Sequence, residues 1–293
     1  MISLNSLKNK YADYRLTKVN KLEESVKERE GCLMASPMSP NKLMPDKLEI
    51  TLKTLPKQLS IAKNMEITVK SLKNNPENPK TEVKNEFFDK FENYANSIGV
   101  NKLGYVKVPS ELIFKDKAVL YENAIVLIME MDKDAVNAAP SDATQEMGIV
   151  TYDDLGKKTN ELAEFLRENG FGAHASHPAG GIVMYPHLAQ YAGLGYRGRH
   201  GMLITPEFGP RQRISVIFTS IQNLPVNNLN EHLWIPDFCG KCGKCIRKCP
   251  ENAIIEKDGK TKIIKDLCHG CTICMKDCSF NTVGYEKIRN KYN

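Results

Sequence analysis

Residues 239–250 of the chain are CGKCGKCIRKCP, and residues 268–278 are CHGCTICMKDC. In both stretches the cysteines are separated by two, two and three residues, which is the spacing at which thiolates bind 4Fe-4S clusters. The first motif is followed by Pro250 and the second by Ser279. The repeat predicts a small C-terminal domain that holds two clusters and moves electrons one at a time.

The spacing also predicts which cysteines share a cluster. Three closely spaced thiolates reach one cubane, while the fourth cysteine of each motif is carried by the reversal of the chain to the other cluster. Zinc sites usually have two pairs of ligands separated by a longer spacer, so zinc fits this pattern poorly. The two expected ligand sets are Cys239, Cys242, Cys245 and Cys278, and Cys268, Cys271, Cys274 and Cys249.

The charge of the chain is concentrated in the same region. The chain has 41 Lys and Arg against 35 Asp and Glu, and residues 238–293 hold 12 of the former and 6 of the latter. Each cluster with its four thiolates contributes a charge of roughly −2, which offsets most of this excess. We therefore expect no nucleic-acid partner.

Composition places the protein among soluble globular chains, with 41% hydrophobic residues. The longest strongly apolar stretch, residues 124–129, is too short to span a bilayer, and the first 15 residues have neither an apolar core nor twin arginines. Eight of nine cysteines have metal-ligand spacing instead of a disulfide pattern, so we expect a cytoplasmic protein without a membrane partner. Cys32 is expected to be a buried small residue.

The pattern ahead of the cysteines predicts mixed α/β structure. A helix near residues 87–94, strands at 102–106 and 124–129, a helix at 152–169 and a central strand at 214–221 are expected, with a loop over residues 137–148. Proline clusters, the last of them at residues 74–79, interrupt the earlier part. The expected division is a helical and irregular segment at 1–85, an α/β domain at 86–230 and the cluster domain at 231–293.

The stretch AGLGYRGRHG at residues 192–201 is unusually rich in glycine and cations. Glycines let the backbone approach a flat or anionic ligand closely, and the cations can hold it. The spacing matches neither a dinucleotide fingerprint nor a P-loop, so neither nucleotide site is predicted.

Residues 192–213, AGLGYRGRHGMLITPEFGPRQR, followed by the strand ISVIFTSI and two ferredoxin motifs, resemble the corrinoid-dependent reductive dehalogenases and, less closely, epoxyqueuosine reductase. The likeness extends from about residue 86 to the C-terminus. It implies a nitroreductase-like domain that holds base-off cobalamin, reduced by the two clusters. The implied corrin-contacting residues are Gly193, Leu194, Gly195, Tyr196, Arg197, Gly198, Arg199, His200 and Gly201.

The resemblance also implies catalytic residues. Tyr152 lies where the dehalogenases have a proton-donating tyrosine, and Arg213 matches the arginine that lowers the pKa of that tyrosine. The alternative for Tyr152 is a core aromatic on the apolar face of its helix. Arg213 precedes a buried strand, where an unpaired charge is costly, and this favours a functional role.

Other polar residues have simpler interpretations. His174 and His177 are expected in a surface loop, and Arg211 at a solvated edge. Epoxyqueuosine reductase uses an aspartate as its proton donor, so Asp153 and Asp154 are rival donors, although an acidic pair that opens a helix is explained by the helix dipole.

The sequence therefore predicts a corrinoid-dependent reductase that acts on a small organic substrate and takes electrons from a low-potential donor such as ferredoxin or flavodoxin. Two alternatives are a non-enzymatic redox protein, which carries electrons or reduces a partner's corrinoid, and a flavin-linked ferredoxin reductase.

Overall fold

The computed structural model describes residue 14 and residues 17–41, 53–227, 229–257 and 259–292. Its strands are β1 (Leu33–Met34), β2 (Lys102–Lys107), β3 (Ala118–Val119), β4 (Asn123–Glu130), β5 (Ala173–Ser176), β6 (Tyr196–Arg197), β7 (Leu203–Ile204), β8 (Gln212–Thr219), β9 (Ile254–Lys257) and β10 (Lys260–Ile263). Besides helical residues 17–24, the α-helices are α1 (Leu55–Lys70), α2 (Asn85–Ser97), α3 (Lys133–Asn137), α4 (Asp142–Glu168), α5 (Tyr185–Tyr191), α6 (Ile235–Cys242), α7 (Lys244–Arg247), α8 (Ile273–Lys276), α9 (Ser279–Thr282) and α10 (Tyr285–Tyr292). Short 3-10 helices lie at Ser25–Glu28, Ser71–Asn74, Ser110–Leu112 and Lys265–Leu267.

A four-stranded antiparallel sheet forms the centre of the molecule. Its strand order is β2-β4-β8-β5, and Val126 of β4 lies opposite both Gly104 of β2 and Val216 of β8. The three strands expected from the sequence are present, and β8 is interior as predicted. The mixed fold class is confirmed, and the antiparallel sheet places it in the α+β group.

The two faces of β4 bury separate apolar cores. Ile125 and Leu127 pack with α2 and α4, whereas Val126 and Ile128 pack with α5 on the other side. Successive side chains of a strand point to opposite faces, so a strand covered on both faces has no polar row. This explains why residues 124–129 are a continuous apolar run.

Helix α4 begins ten residues earlier than the sequence predicts, so the loop expected over residues 137–148 is wrong. The helix starts at Asp142, where the Ser141 hydroxyl accepts a hydrogen bond from the Thr144 N–H at 3.2 Å. Gly148 lowers the intrinsic helix propensity of residues 142–151 and hides the start of the helix. Packing of the buried face offsets that cost, and Tyr152 consequently lies inside the helix instead of at its first turn.

The N-terminal residues that the structure describes pack onto this core. Helix α1 lies against α4 and β5, and β1 pairs with β3. Val19, Ile61 and Met65 form an apolar cluster with Ile149 of α4, and Tyr152 packs against it. The expected domain boundary after residue 85 stays a prediction. Cys32, expected to be buried, is half-buried.

The cysteine-rich segment docks on the same core. Ile204 of β7 is fully buried in an apolar cluster with Ile235, Phe280 and Tyr285. On another side, the Lys276 ammonium donates to the Ala139 carbonyl at 2.7 Å. Among the described helices, none has the length and apolar composition needed to cross a membrane.

Candidate redox site

Four thiols line one cavity at the junction of the two parts of the chain. They belong to Cys239, Cys242, Cys245 and Cys278, and Arg199, His200 and Phe280 are among the other lining residues. Gly243 allows the turn between α6 and α7, because its φ of 52° lies in the left-handed region. The cavity brings together the first ligand set predicted from the sequence.

The other four thiols form a second group. Cys274 interacts electrostatically with Cys245 of the first motif and with Cys271, Cys268 and Cys249, and the Ala253 N–H donates to the Cys249 sulfur at 3.2 Å. Cys278 interacts instead with Cys239 and Cys245. The fourth cysteine of each motif is therefore near the other motif, in the arrangement that the crossover prediction requires, and the ligand sets stay predictions.

The surroundings of the thiols fit a metal-sulfur group. Burial raises the pKa of Cys239 to about 11 and those of Cys274 and Cys278 to about 12, since burial disfavours the charged thiolate. Iron binding would offset this cost by supplying the positive charge that thiolates need. A cubane spreads its thiolates over separate irons, and four thiols that line one cavity suit this arrangement.

The glycine-rich stretch folds back on itself as the strand pair β6 and β7. Gly195 is needed there, because a Cβ would come within 2.1 Å of the Ile204 carbonyl oxygen. The second half of the stretch lies beside the cysteine-rich segment. There Arg199 forms an ion pair with Glu256 at 2.7 Å. Two of the nine predicted corrin-contacting residues, Arg199 and His200, thus line the thiol cavity, and contact with a corrin stays a prediction for the set.

His200 is buried, with 4% of its surface exposed. The Met202 N–H donates to its Nδ1 at 3.2 Å, while its Nε2 has no hydrogen-bond partner among the described residues. Burial lowers the pKa of His200 to about 4. The imidazole is therefore neutral at neutral pH and carries its proton on Nε2.

Tyr152 and Arg213, the predicted catalytic pair, are in contact. The guanidinium carbon of Arg213 lies 3.7 Å from the centroid of the Tyr152 ring. Helix α4 supplies the tyrosine and β8 supplies the arginine. The contact is a cation stacked on the ring face. The roles of the two residues remain predictions.

A group of methionines connects this pair with the cysteines. Met131, Met147, Met202 and Met275, here called the methionine group, pack together around Val136. Arg213 touches the group, because its Nη2 lies 3.4 Å from the Met131 sulfur, and Met275 follows Cys274 directly. Neither the Met spacing nor any motif indicated this arrangement; it arises from the packing of α3, α4, the loop after β6 and α8.

The methionine group and Arg213 together satisfy two requirements of a corrin site. A large flat cofactor needs an adaptable apolar surface with a few polar groups at its rim. The four thioethers provide the adaptable apolar surface. The buried Nε of Arg213, which has no partner among the described residues, provides a polar donor. These residues fit the group that the resemblance implies.

Asp153 does not open a helix, so the helix-dipole explanation is wrong for it. Its side chain is fully buried and forms ion pairs with Lys157 at 2.7 Å and Lys57 at 3.3 Å. Burial alone would raise the pKa of its carboxyl, but hydrogen bonds from Lys157, Ser60 and Lys57 outweigh burial and lower it. Asp154 is exposed and forms an ion pair with Lys158 at 3.3 Å. A carboxylate held ionised by lysines is poorly suited to donate a proton.

The placement of His174 and His177 in a surface loop is also wrong. His174 lies on β5 with 1% of its surface exposed, and His177 follows that strand with 4% exposed. The His177 ring packs onto α4 at Gly156, where a Cβ would come within 1.9 Å of Nε2. Strand β5 has only four residues and all of them are buried, so no periodic pattern in the sequence reveals this burial.

Arg211, expected at a solvated edge, is buried. Its guanidinium forms an ion pair with Glu130 at 2.6 Å and donates to the Met131 carbonyl at 3.2 Å. The two arginines of the FGPRQR sequence thus have different neighbours. Arg211 binds Glu130 and Met131 at the end of β4, and Arg213 stacks on the Tyr152 ring. His187 contacts the Arg197 guanidinium.

Comparison with known proteins supports this description. A family model described as a 4Fe-4S dicluster domain matches residues 233–288. A tetrachloroethene reductive dehalogenase from Desulfitobacterium hafniense is 35% identical over 148 residues, which are 50% of this chain and 25% of that protein. The epoxyqueuosine reductase of Bacillus subtilis is 24% identical over 245 residues, covering 64% of this chain and 62% of the reductase. The matched region thus spans a quarter of the length of the dehalogenase.

Solved structures have the same fold. A catabolic reductive dehalogenase superposes with a TM-score of 0.62 at 17% identity, covering 86% of this chain and 43% of the dehalogenase. Epoxyqueuosine reductase from Streptococcus thermophilus superposes with a TM-score of 0.51 at 16% identity, covering 67% of this chain and 66% of the reductase. At these identities the likeness shows the fold.

The chain is therefore an iron-sulfur protein with a C-terminal 4Fe-4S dicluster domain, related to the reductive dehalogenases and the epoxyqueuosine reductases. This confirms the resemblance seen in the sequence. Both groups of relatives are oxidoreductases. The prediction that the protein has no nucleic-acid partner is not supported, because its relatives include epoxyqueuosine reductases.

Proposed function

We propose that the protein is a corrinoid-dependent reductase in which two 4Fe-4S clusters pass single electrons to base-off cobalamin for the reductive cleavage of a bond in a small organic molecule. The observation that carries the proposal is a series of neighbours: Met275 of the methionine group follows Cys274 in the sequence, Met131 of the same group contacts Arg213, and Arg213 stacks on Tyr152. A solved relative described as a B12-dependent dehalogenase has the same fold, with a TM-score of 0.58 at 16% identity.

The methionine group would form the apolar surface for the corrin, and the residues of the 193–201 stretch that do not line the thiol cavity would lie at its rim. Cobalamin, when bound there, would supply a cobalt centre that accepts single electrons and reacts with the substrate. The eight cysteines would supply those electrons from a low-potential donor such as ferredoxin or flavodoxin.

Tyr152 would deliver a proton from its hydroxyl to the product. The positive charge of Arg213, stacked at 3.7 Å from the ring centroid, would stabilise the negative charge left on the tyrosine after that transfer. The Arg213 Nε, which has no hydrogen-bond partner in the part of the chain that the structure describes, would also be available to orient the substrate or the cofactor. The apolar cluster of Val19, Ile61, Met65 and Ile149 packs beside Tyr152 and would exclude water from this proton donor.

Epoxyqueuosine reduction is a second candidate, favoured by the similarity to the Bacillus subtilis enzyme over 245 residues. It would require an aspartate donor, and Asp153 is held by two lysines inside the protein. A halogenated small molecule and an epoxide-bearing nucleoside can be distinguished by supplying each to the reduced, cobalamin-loaded protein and analysing the products.

The first test is cofactor content. The protein is purified without oxygen, and its absorption is recorded with and without added cobalamin. We expect about eight irons per chain and a stoichiometric corrinoid with the spectrum of the base-off form. A bound flavin with no tight corrinoid would instead identify a flavin-linked reductase, and clusters without either cofactor would identify an electron carrier.

Tyr152→Phe tests the proton donor. The ring and its stacking with Arg213 are retained while the hydroxyl is lost, so we expect turnover to fall by about 10²-fold or more with unchanged reduction of the clusters. Tyr191→Phe, at an exposed surface position, is the matched control and should keep full activity. Equal rates for the two variants would remove Tyr152 from the mechanism.

A further inference from the structure

The buried imidazole of His200 points to a function that neither the cysteine motifs nor the resemblance assigns. His200 lines the same cavity as the thiols of Cys239, Cys242, Cys245 and Cys278. Its Nδ1 is occupied by the Met202 N–H, so the hydrogen of the neutral ring is on Nε2. A buried donor without an acceptor destabilises the folded protein, so such a group is expected to meet an acceptor inside the cavity.

The loop around His200 is shaped to hold the ring in this position. At Gly198 a Cβ would lie 2.9 Å from the imidazole Cε1 and 3.2 Å from Nε2. Any other residue at this position would therefore crowd the ring in its present position. Next to His200 in the sequence, Arg199 forms an ion pair with Glu256 and connects the loop to β9 of the cysteine-rich segment. The ring is therefore fixed relative to the thiols.

We propose that the His200 Nε2–H donates a hydrogen bond to a sulfur atom of the 4Fe-4S cluster held by Cys239, Cys242, Cys245 and Cys278, and thereby makes that cluster easier to reduce. Reduction adds one electron to the cluster, and the hydrogen bond strengthens as the sulfur becomes more negative. His200 keeps its proton throughout. The inference rests on the predicted ligand set and is independent of cobalamin and of the substrate.

The test is an anaerobic redox titration of the iron-loaded protein, monitored by electron paramagnetic resonance. It is performed in the Cys271→Ala background, where only the cluster beside His200 should remain, and in the full chain. We expect His200→Leu to reduce the ratio of reduced to oxidised cluster at a fixed potential by about tenfold, which corresponds to a potential lower by about 59 mV. His200→Gln, which restores an N–H donor, should recover part of the shift.

In the full chain, the second cluster is the internal control and its potential should not change. An unchanged potential of the first cluster in His200→Leu, with four irons still bound, would overturn the proposal.

A second measurement covers the case in which His200→Leu loses the first cluster. Wild-type protein labelled with ¹⁵N-histidine should show a hyperfine coupling between one imidazole nitrogen and the reduced cluster. His174→Gln should retain this coupling, because that residue lies on β5. No histidine coupling in the wild-type protein would equally rule out the hydrogen bond.

Discussion

At the scale of single residues, the buried histidines share one arrangement. Backbone N–H groups of Leu120, Ala179 and Met202 donate to Nδ1 of the three histidines at 3.0–3.2 Å. Burial is the largest cause that lowers the pKa to about 3 for His174 and about 4 for His177 and His200. All three are thus neutral donors through Nε2. The sequence showed only that histidines were present, because N-terminal residues such as Val19 and Met65 pack beside His174 and His177, and the cysteine-rich segment packs beside His200.

His174 makes folding stability depend on pH. Arg29 and Arg167 add to burial in lowering its pKa, so the unfolded chain binds a proton below pH 6.5 that the folded chain does not take up until about pH 3. Stability contributed by the neutral ring is therefore present above pH 6.5 and is lost as the pH falls. Between pH 7.5 and 5, His174→Gln should lose about 2 kcal/mol less unfolding free energy than the wild type.

The measurement is denaturant unfolding at several pH values under anaerobic conditions, with iron content checked at each. The other buried histidines contribute equally to both proteins. The difference between the unfolding free energies of wild type and His174→Gln at each pH therefore reports the contribution of His174. Parallel pH profiles would show that His174 is protonated in the folded protein.

At the scale of elements, helix α4 shows where prediction from the sequence succeeds and where it fails. Its C-terminal half has apolar residues at helical spacing and was predicted correctly. Its N-terminal half contains Gly148, and Gly156 lies just past its middle; the low helix propensity of both is overcome by contacts with residues far away in the sequence. Gly156 is kept because the His177 ring occupies the space of a side chain. Local propensity contains no information about such a contact.

The two glycines of α4 should therefore respond oppositely to the same substitution. Gly156→Ala places a Cβ within 1.9 Å of the His177 Nε2, and we expect the unfolding free energy to fall by about 1–3 kcal/mol. Gly148→Ala meets its nearest atom, the Arg213 Nη2, only at 3.9 Å and should gain about 0.5–1 kcal/mol.

Denaturant midpoints of the two variants and the wild type provide the comparison. His177→Ala combined with Gly156→Ala should recover part of the loss caused by Gly156→Ala. A stabilised Gly156→Ala protein would show that the ring can move away from α4 without cost.

At the scale of the whole molecule, the sequence predicted the components better than their connection. The strands, the cluster domain and the contact between Tyr152 and Arg213 followed from periodicity, cysteine spacing and resemblance. The methionine group did not, because methionines far apart in the sequence have no spacing that marks a shared surface. The sequence also did not predict that the 196–201 loop turns toward the thiols. That turn depends on the packing of Ile204 against Phe280 and Tyr285.

Iron content can test the crossover of the two motifs. Cys249→Ala combined with Cys271→Ala removes two ligands of one predicted cluster, and we expect about four irons per chain to remain. Cys249→Ala combined with Cys242→Ala removes one ligand from each cluster and should leave about none after desalting.

Each double variant is the control for the other, since both carry the Cys249 substitution and the same number of lost thiols. The opposite result, with more iron retained by the Cys249 and Cys242 combination, would assign Cys249 to the cluster of its own motif.

The apolar cluster around Ile204 joins the iron-binding segment to β7, a few residues before β8 and Arg213. Iron binds the thiols of the folded chain more strongly than those of the unfolded chain. Bound clusters therefore stabilise the apolar contact around Ile204 and the sheet next to it. Oxygen that destroys a cluster therefore removes folding free energy as well as an electron carrier. We therefore expect protein that has lost its clusters to unfold more often than the loaded protein and to be cleaved faster by an added protease.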